Sequence, residues 1–105
     1  MGSSVTLSAP PIQAGVQAAL EQMDFSVYPN PTSGELNVDL GQYTGRSVRL
    51  EVYSLEGKLL QFSEIDEVQT TVETLNLVSY RYGMYMVKVK SEGLPDVARR
   101  VVVAR

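Results

Sequence analysis

The chain of 105 residues contains no cysteine, no histidine and no tryptophan. Without cysteine it has neither disulfide bonds nor thiolate metal ligands, and without histidine it lacks Ser-His and Cys-His nucleophile pairs and His-ligated zinc. No apolar run approaches the roughly 20 residues of a membrane-spanning helix. A chain of this length can form one small domain with a single core. The composition therefore favours a structural or binding domain over an enzyme.

The net charge of −3 conceals an uneven distribution. Residues 1–79 carry 3 basic and 10 acidic side chains, which gives −7, whereas residues 80–105 carry 6 basic and 2 acidic side chains, which gives +4. A cationic C-terminal end can steer an acidic partner, although a mixed surface that maintains solubility is the plainer interpretation. The pI of 4.8 argues against nucleic-acid binding.

Polar and apolar residues alternate through much of the chain after residue 24. Leu36–Leu40 reads Leu, Asn, Val, Asp, Leu, and Val48–Val52 reads Val, Arg, Leu, Glu, Val. A period of two is typical of strands with one face on a core and the other in water. The pattern predicts seven strands, at Phe25–Tyr28, Leu36–Leu40, Val48–Val52, Lys58–Glu64, Thr70–Leu77, Met84–Ser91 and Ala98–Val103. Short strands separated by turn residues predict an all-β antiparallel sandwich.

Residues 1–24 differ from the rest of the chain. Gly2-Ser3-Ser4 is typical of a cloning remnant, which indicates a piece cut from a longer protein. After two prolines, one helical face would carry an apolar stripe of Ile12, Val16, Ala19, Leu20 and Met23. Because a helix of about 12 residues is marginal in isolation, Val5–Asp24 is predicted to be a linker that becomes helical only where another surface covers this stripe. Residues 25–105 would then form the folded domain.

Two groups of side chains allow more than one interpretation. Glu64, Asp66 and Glu67 form the densest acidic cluster and could hold calcium, but the absence of a glycine-punctuated ligand loop favours a solvated loop. Six tyrosines could stack on sugars or bases, but Tyr85 shares its strand face with valines, which favours packing in a sheet or core. The sequence thus predicts neither a metal site nor a cofactor.

The segment FSVYPNPTSGELNV joins the first two predicted strands and contains the strongest turn signals of the chain. Pro29 and Pro31 each fix φ at about −65° and lack an N–H donor. Asn30 can bond to its own backbone, and Gly34 reaches positive φ at little cost. These residues predict a turn and no chemistry.

Three further motifs follow in order. They are VRLEVYSLEGKLL with Gly57 in its turn, LNLVSYRYGMYMVKV with Gly83 and Tyr85, and a basic closing strand, ARRVVVAR. Together with the first segment, they resemble the type A C-terminal sorting domain of the type IX (Por) secretion system of Bacteroidetes-like bacteria. The resemblance covers Phe25–Arg105, with arginines where relatives often have lysine.

The resemblance implies a sorting signal and not an enzyme. It implies an Ig-like β-sandwich at the C-terminus of a cargo protein, recognised by the outer-membrane translocon and served by shuttle and sortase components. It further implies transit through the periplasm, sortase cleavage ahead of the sandwich, attachment of the cargo to anionic lipopolysaccharide, and a final location on the outer-membrane surface or outside the cell. Some members belong to the secretion machinery and keep the domain, and the sequence does not separate the two cases.

Recognition is expected to involve the last strands, with the terminal strand and its Arg99, Arg100 and Arg105 as the best candidate. An edge strand with exposed backbone groups can pair with a receptor strand, while its arginines orient it toward acidic groups. The motif glycines and Tyr85 also have a purely structural interpretation, in which the glycines form turns and Tyr85 packs in the sheet or core. The tyrosine content also permits an alternative function, an Ig-like adhesion or carbohydrate-binding module of a surface protein.

Overall fold

The computed structural model describes residues 23–104 and contains the seven predicted strands in two antiparallel sheets. The strands are β1 Ser26–Tyr28, β2 Glu35–Asp39, β3 Val48–Ser54, β4 Leu59–Ile65, β5 Val72–Asn76, β6 Gly83–Lys90 and β7 Val97–Val103, with a 3-10 turn at Gly41–Tyr43. The predicted helical stripe falls almost wholly in residues 1–22 and, like Arg105, lies outside the described residues. Met23 and Asp24 are irregular.

One sheet has the strand order β1-β2-β5 and the other has the order β4-β3-β6-β7. Every neighbouring pair within these sheets is antiparallel. The terminal strand β7 is therefore at a sheet edge, as predicted, and so is β4 on the opposite side of the same sheet. The predicted all-β sandwich is confirmed.

The core lies between the two sheets and is formed by the apolar residues of the alternating pattern. It contains Leu36 and Val38 from β2, Leu50 and Val52 from β3, Val87 and Val89 from β6, and Val101 and Val103 from β7, all at most 2% exposed. Each such side chain contributes roughly 1.5–3 kcal/mol on burial. The alternation of buried and polar positions therefore fixes which face of each strand turns inward.

The predicted strand ends differ from the observed ones by one or two residues at most sites. Phe25 is buried in the core but precedes β1, because its N–H bonds the side chain of Asp24 at 2.7 Å instead of a neighbouring strand. The peptide bonds preceding Pro29 and Pro31 are both cis. Beyond them the chain turns back toward β2 and passes the outer edge of β7.

Candidate functional site

Asn30 of the first motif lies against the terminal strand. Its side-chain Nδ2 donates to the carbonyl oxygen of Arg100 at 3.0 Å, and its Oδ1 accepts from the N–H of Val102 at 3.0 Å. An amide that donates to one residue and accepts from the next but one reproduces the bonds that a neighbouring strand would make. The Asn30 side chain thus replaces a strand partner along this part of β7.

Thr32 continues the same contact with its backbone. Its N–H donates to the carbonyl oxygen of Val102 at 2.8 Å, and its carbonyl oxygen accepts from the N–H of Ala104 at 2.9 Å. The residue is fully buried, and its hydroxyl donates to the carbonyl oxygen of Glu35 at 2.6 Å. Residues 30–32, here called the Asn30–Thr32 clamp, therefore hold the C-terminal half of β7 and connect it to the start of β2.

The clamp corrects one expectation. The terminal strand was predicted to have an open outer edge. Instead, the clamp forms hydrogen bonds with the carbonyl of Arg100, with the N–H and carbonyl of Val102 and with the N–H of Ala104, all of which face away from β6. Near the start of the strand, the outward carbonyl of Ala98 accepts a 3.3 Å contact from the Arg99 side chain. The prediction failed because the first motif contacts the last strand across 70 residues of sequence, which no local pattern reveals.

The candidate arginines do not form one cluster. The guanidinium of Arg99 is paired with the carboxylate of Asp24, just ahead of β1. The next residue, Arg100, points to the opposite face because side chains alternate along a strand, and it is exposed. Arg105 lies outside the described residues. Arg100 is therefore the candidate whose charge can be changed with the least effect on contacts inside the domain.

The motif glycines occupy backbone positions that other residues rarely adopt. Gly34 has φ +150°, and a Cβ placed on it would lie 2.8 Å from Cγ2 and 3.2 Å from Cα of Val78. Gly83 was predicted to have positive φ or to lie against a close backbone neighbour, and it has φ +147° with open space around it. Gly57, at φ +92°, closes the hairpin between β3 and β4 through its N–H to Ser54. These residues therefore have structural roles.

Tyr85 also has a structural role. Its ring packs against that of Tyr80 with centroids 5.1 Å apart, and its hydroxyl donates to the carbonyl oxygen of Arg81 at 2.7 Å. The Tyr80 hydroxyl in turn accepts from Gln61 of β4 at 2.7 Å. These contacts tie the loop ahead of β6 to strands β4 and β6 of the four-stranded sheet, consistent with the predicted packing role of this tyrosine.

Glu51 on β3 is a polar feature that sequence reasoning missed. It occupies an outward position of the four-stranded sheet, yet it is only 4% exposed. Its carboxylate accepts from Nε of Arg49 at 2.6 Å and from the Tyr53 hydroxyl at 2.7 Å. The guanidinium of Arg49 also lies 3.9 Å above the ring centroid of Phe62 and bonds Glu64 at 3.1 Å. The available signal was the spacing of Arg, Glu and Tyr at alternate positions of one strand.

Burial raises the pKa of Glu51, but hydrogen bonds from Tyr53 and Arg49 and the charges of Lys90 and Arg49 outweigh it and hold the pKa below its usual 4.5. The folded state therefore takes up its proton at lower pH than the unfolded state does. The stabilisation that this difference provides is fully present above pH 4.5 and is lost as the pH falls through the lowered pKa.

We expect Glu51→Gln to flatten the dependence of melting temperature on pH in the acid range. Glu64→Gln is the matched control, because it removes an exposed carboxylate bound to the same arginine. Thermal unfolding between neutral and acid pH measures both variants. An unchanged acid profile in Glu51→Gln would contradict this role for the Glu51 carboxylate.

The acidic cluster does not bring ligands together. Within residues 23–104 no group of three or more carboxylates is arranged to hold a metal ion. Glu64 pairs with Arg49 instead, and the carbonyl oxygen of Asp66 accepts from the Ser47 hydroxyl. The same part of the chain has no helix long and apolar enough to span a bilayer.

Comparison with known proteins agrees with this geometry. A protein family described as "Secretion system C-terminal sorting domain" matches residues 26–104. Among solved structures, a DUF3244 family protein from Bacteroides vulgatus ATCC 8482 with an immunoglobulin-like β-sandwich fold is similar to this chain. The two structures have a TM-score of 0.61 and 11% sequence identity, and the similar region covers 78% of this chain and 96% of the Bacteroides vulgatus chain. This likeness concerns the fold alone and confirms the predicted Ig-like sandwich. No curated protein matches the chain, and neither finding concerns an enzyme family.

Proposed function

This chain belongs to the family of secretion system C-terminal sorting domains, and from that membership we propose that it is the signal by which the type IX outer-membrane translocon recognises the protein that carries it. The carrier then crosses the outer membrane to the cell surface or the extracellular space. The observation that supports this most is the match over residues 26–104, which spans all seven strands.

The proposal includes the steps that the family resemblance implies. The carrier passes through the periplasm, is handed on by shuttle components and meets a sortase. The sortase cuts the chain ahead of the sandwich, in the segment around Val5–Asp24, and joins the carrier to anionic lipopolysaccharide. A carrier that is itself a machinery component instead keeps the domain.

The outer face of the four-stranded sheet near its terminal strand is the recognition surface that we favour within the domain. Arg100 lies on this face, and its cross-strand partner on β6 is Met86. Lys88 and Lys90 follow on the same face of β6, because residues two apart share a face. With the C-terminal half of the β7 edge held by the Asn30–Thr32 clamp, side-chain charge is better placed than backbone pairing to guide the encounter with an acidic partner.

We expect Arg100→Glu to reduce surface delivery of the carrier severalfold while leaving the melting temperature nearly unchanged. An exposed charge contributes only about 0–1 kcal/mol to stability, whereas reversing a charge at a recognition surface slows association. Arg46→Glu, an exposed arginine in the loop before β3, is the matched control. Surface delivery and thermal unfolding are measured side by side for both variants. Normal delivery of a folded Arg100→Glu protein would contradict a role for this face in recognition.

The adhesion or carbohydrate-binding alternative is favoured by two tyrosines, Tyr28 and Tyr82, which are 45% and 64% exposed. Exposed aromatic faces stack on sugar rings. Calorimetric titration with surface polysaccharides separates the two candidates, because a sorting signal has no need of saturable sugar binding.

A further inference from the structure

Met23 and Asp24 fix the point at which the chain enters the sandwich. The Met23 side chain is half-buried and packs against the core. The N–H of Asp24 donates to Oε1 of Gln42 at 3.0 Å, and the Asp24 carboxylate pairs with Arg99 near the start of β7. The chain that precedes Met23 is therefore tethered beside the half of β7 that the Asn30–Thr32 clamp does not hold.

A groove begins at this half of β7 on the outer face of the four-stranded sheet and crosses β6 to β3. It has a volume of about 300 Å³, and its lining includes Tyr53, Leu55, Met86, Lys88 and Ala98. Ala98 directly precedes the arginine of the ion pair and faces outward, because side chains alternate along a strand. Among the described residues that line the groove, only Lys88 is charged. The groove is therefore suited to a short apolar segment with a negative charge at one end.

The apolar stripe ahead of the sandwich has the length that this groove requires. Its last member, Met23, packs against the core, so four members remain, from Ile12 to Leu20. A helix over residues 11–20 would be about 15 Å long, and the groove crosses two strand spacings, which amount to about 10 Å. Residues 21–22 would then pass over the edge of β7 beside Ala98. A helix this short is stable only where a surface covers its stripe.

Charge and tethering favour this segment over a separate partner. Glu21 is the only charged side chain of residues 1–22, and it directly follows Leu20. Lys88 is the cross-strand neighbour of Ala98, at the β7 end of the groove from which the segment would arrive. A segment that is tied to the domain at Asp24 has an effective concentration in the millimolar range, which a free partner rarely reaches.

We propose that residues 11–20 dock as a helix in this groove, so that the chain ahead of the sandwich covers the outer face of the four-stranded sheet beside β7. Leu20 then lies nearest Ala98, and Ile12 lies toward Leu55. The docking does not depend on the sorting function. It covers Lys88, one of the cations of the recognition surface favoured above, so an acidic partner that binds there displaces the helix.

The first test compares two charge substitutions in the 105-residue chain. Val16→Lys places a charge within the stripe, whereas Gln17→Lys places the same charge beside it. Val16→Lys should shift the backbone amide NMR signals of Met86, Lys88 and Ala98 and remove more than half of the helical circular dichroism. Lysine is intrinsically the better helix former, so this loss of helix would report undocking. Gln17→Lys should leave both signals nearly unchanged. Groove signals that Val16→Lys leaves in place, or that both variants shift equally, would overturn the proposal.

The second test reads the contact directly and uses the absence of cysteine from the chain. A variant with Leu20→Cys and Ala98→Cys should form a disulfide within the monomer on mild oxidation, because docking brings the two thiols together. The control adds Val16→Lys to this variant, which keeps the tether but removes the docking and should slow disulfide formation at least tenfold. An unchanged rate would show that the tether alone brings the thiols together and would refute docking. A covalent dimer would assign the groove to the segment of a second copy and would also overturn the proposal.

Discussion

Gly34→Val is expected to destabilise the domain by about 2–6 kcal/mol. The substitution requires valine at φ +150° and places its Cβ 2.8 Å from a side-chain carbon and 3.2 Å from the backbone of Val78. Backbone strain of about 1–3 kcal/mol and overpacking of about 1–3 kcal/mol add at one site. The sum, about 2–6 kcal/mol, overlaps only the lower end of the total stability of a typical domain, which is about 5–15 kcal/mol.

Gly83→Val is the matched control for this prediction. Gly83 has a similar φ of +147°, but a Cβ there meets nothing within 4 Å, so only the strain remains. Urea unfolding of both variants should give a larger loss of stability at residue 34 than at residue 83. Equal losses would show that the contact with Val78 is unimportant.

Asn30→Ala is expected to release the C-terminal half of β7 without unfolding the sandwich. The variant loses both hydrogen bonds of the side-chain amide. Because water can replace the lost partner at this edge, each bond contributes about 0.5–1.5 kcal/mol, and the total cost is about 1–3 kcal/mol. Amide hydrogen exchange at Val102 is the direct measurement, since the N–H of Val102 is bonded to Asn30 itself. The exchange rate should rise roughly 10- to 100-fold if the local opening energy falls by that amount.

Asn37→Ala is the control for the clamp. Asn37 lies on β2 with an amide exposed on the outer face, where its Oδ1 accepts one bond from Thr74 at 3.1 Å. Its removal should leave exchange at Val102 unchanged. If Asn30→Ala also leaves it unchanged, the Asn30 side chain does not hold the terminal strand.

Local sequence patterns predicted most of the fold. Alternation places Leu36 and Val38, or Val101 and Val103, on one face of a strand, and burial of that face follows directly. Gly57 and Gly83 were recognisable because turns need positive φ, which other residues rarely adopt. Such features depend on neighbours within a few residues, so a single sequence contains the information.

The candidate site was predicted only in part, because its contacts join distant segments. Asn30 could be read as a turn residue, but its bonds to β7 span about 70 residues, and the ion pair of Asp24 with Arg99 spans 75. The burial of Glu51 likewise depends on side chains from β3 and β4 meeting over it. Local composition and spacing do not reveal which strands become neighbours. These contacts could therefore be identified only from the structure.

Surface delivery of a reporter is the most direct test of the sorting function. Residues 1–105 are fused behind a reporter that is exported to the periplasm, in a bacterium with a type IX secretion system, and the reporter is measured on intact cells and in the medium. We expect the fusion to reach the cell surface or the medium, and a Gly34→Val fusion to be delivered less well because its domain is destabilised. A wild-type fusion that stays in the periplasm, folded and undegraded, would contradict the sorting function.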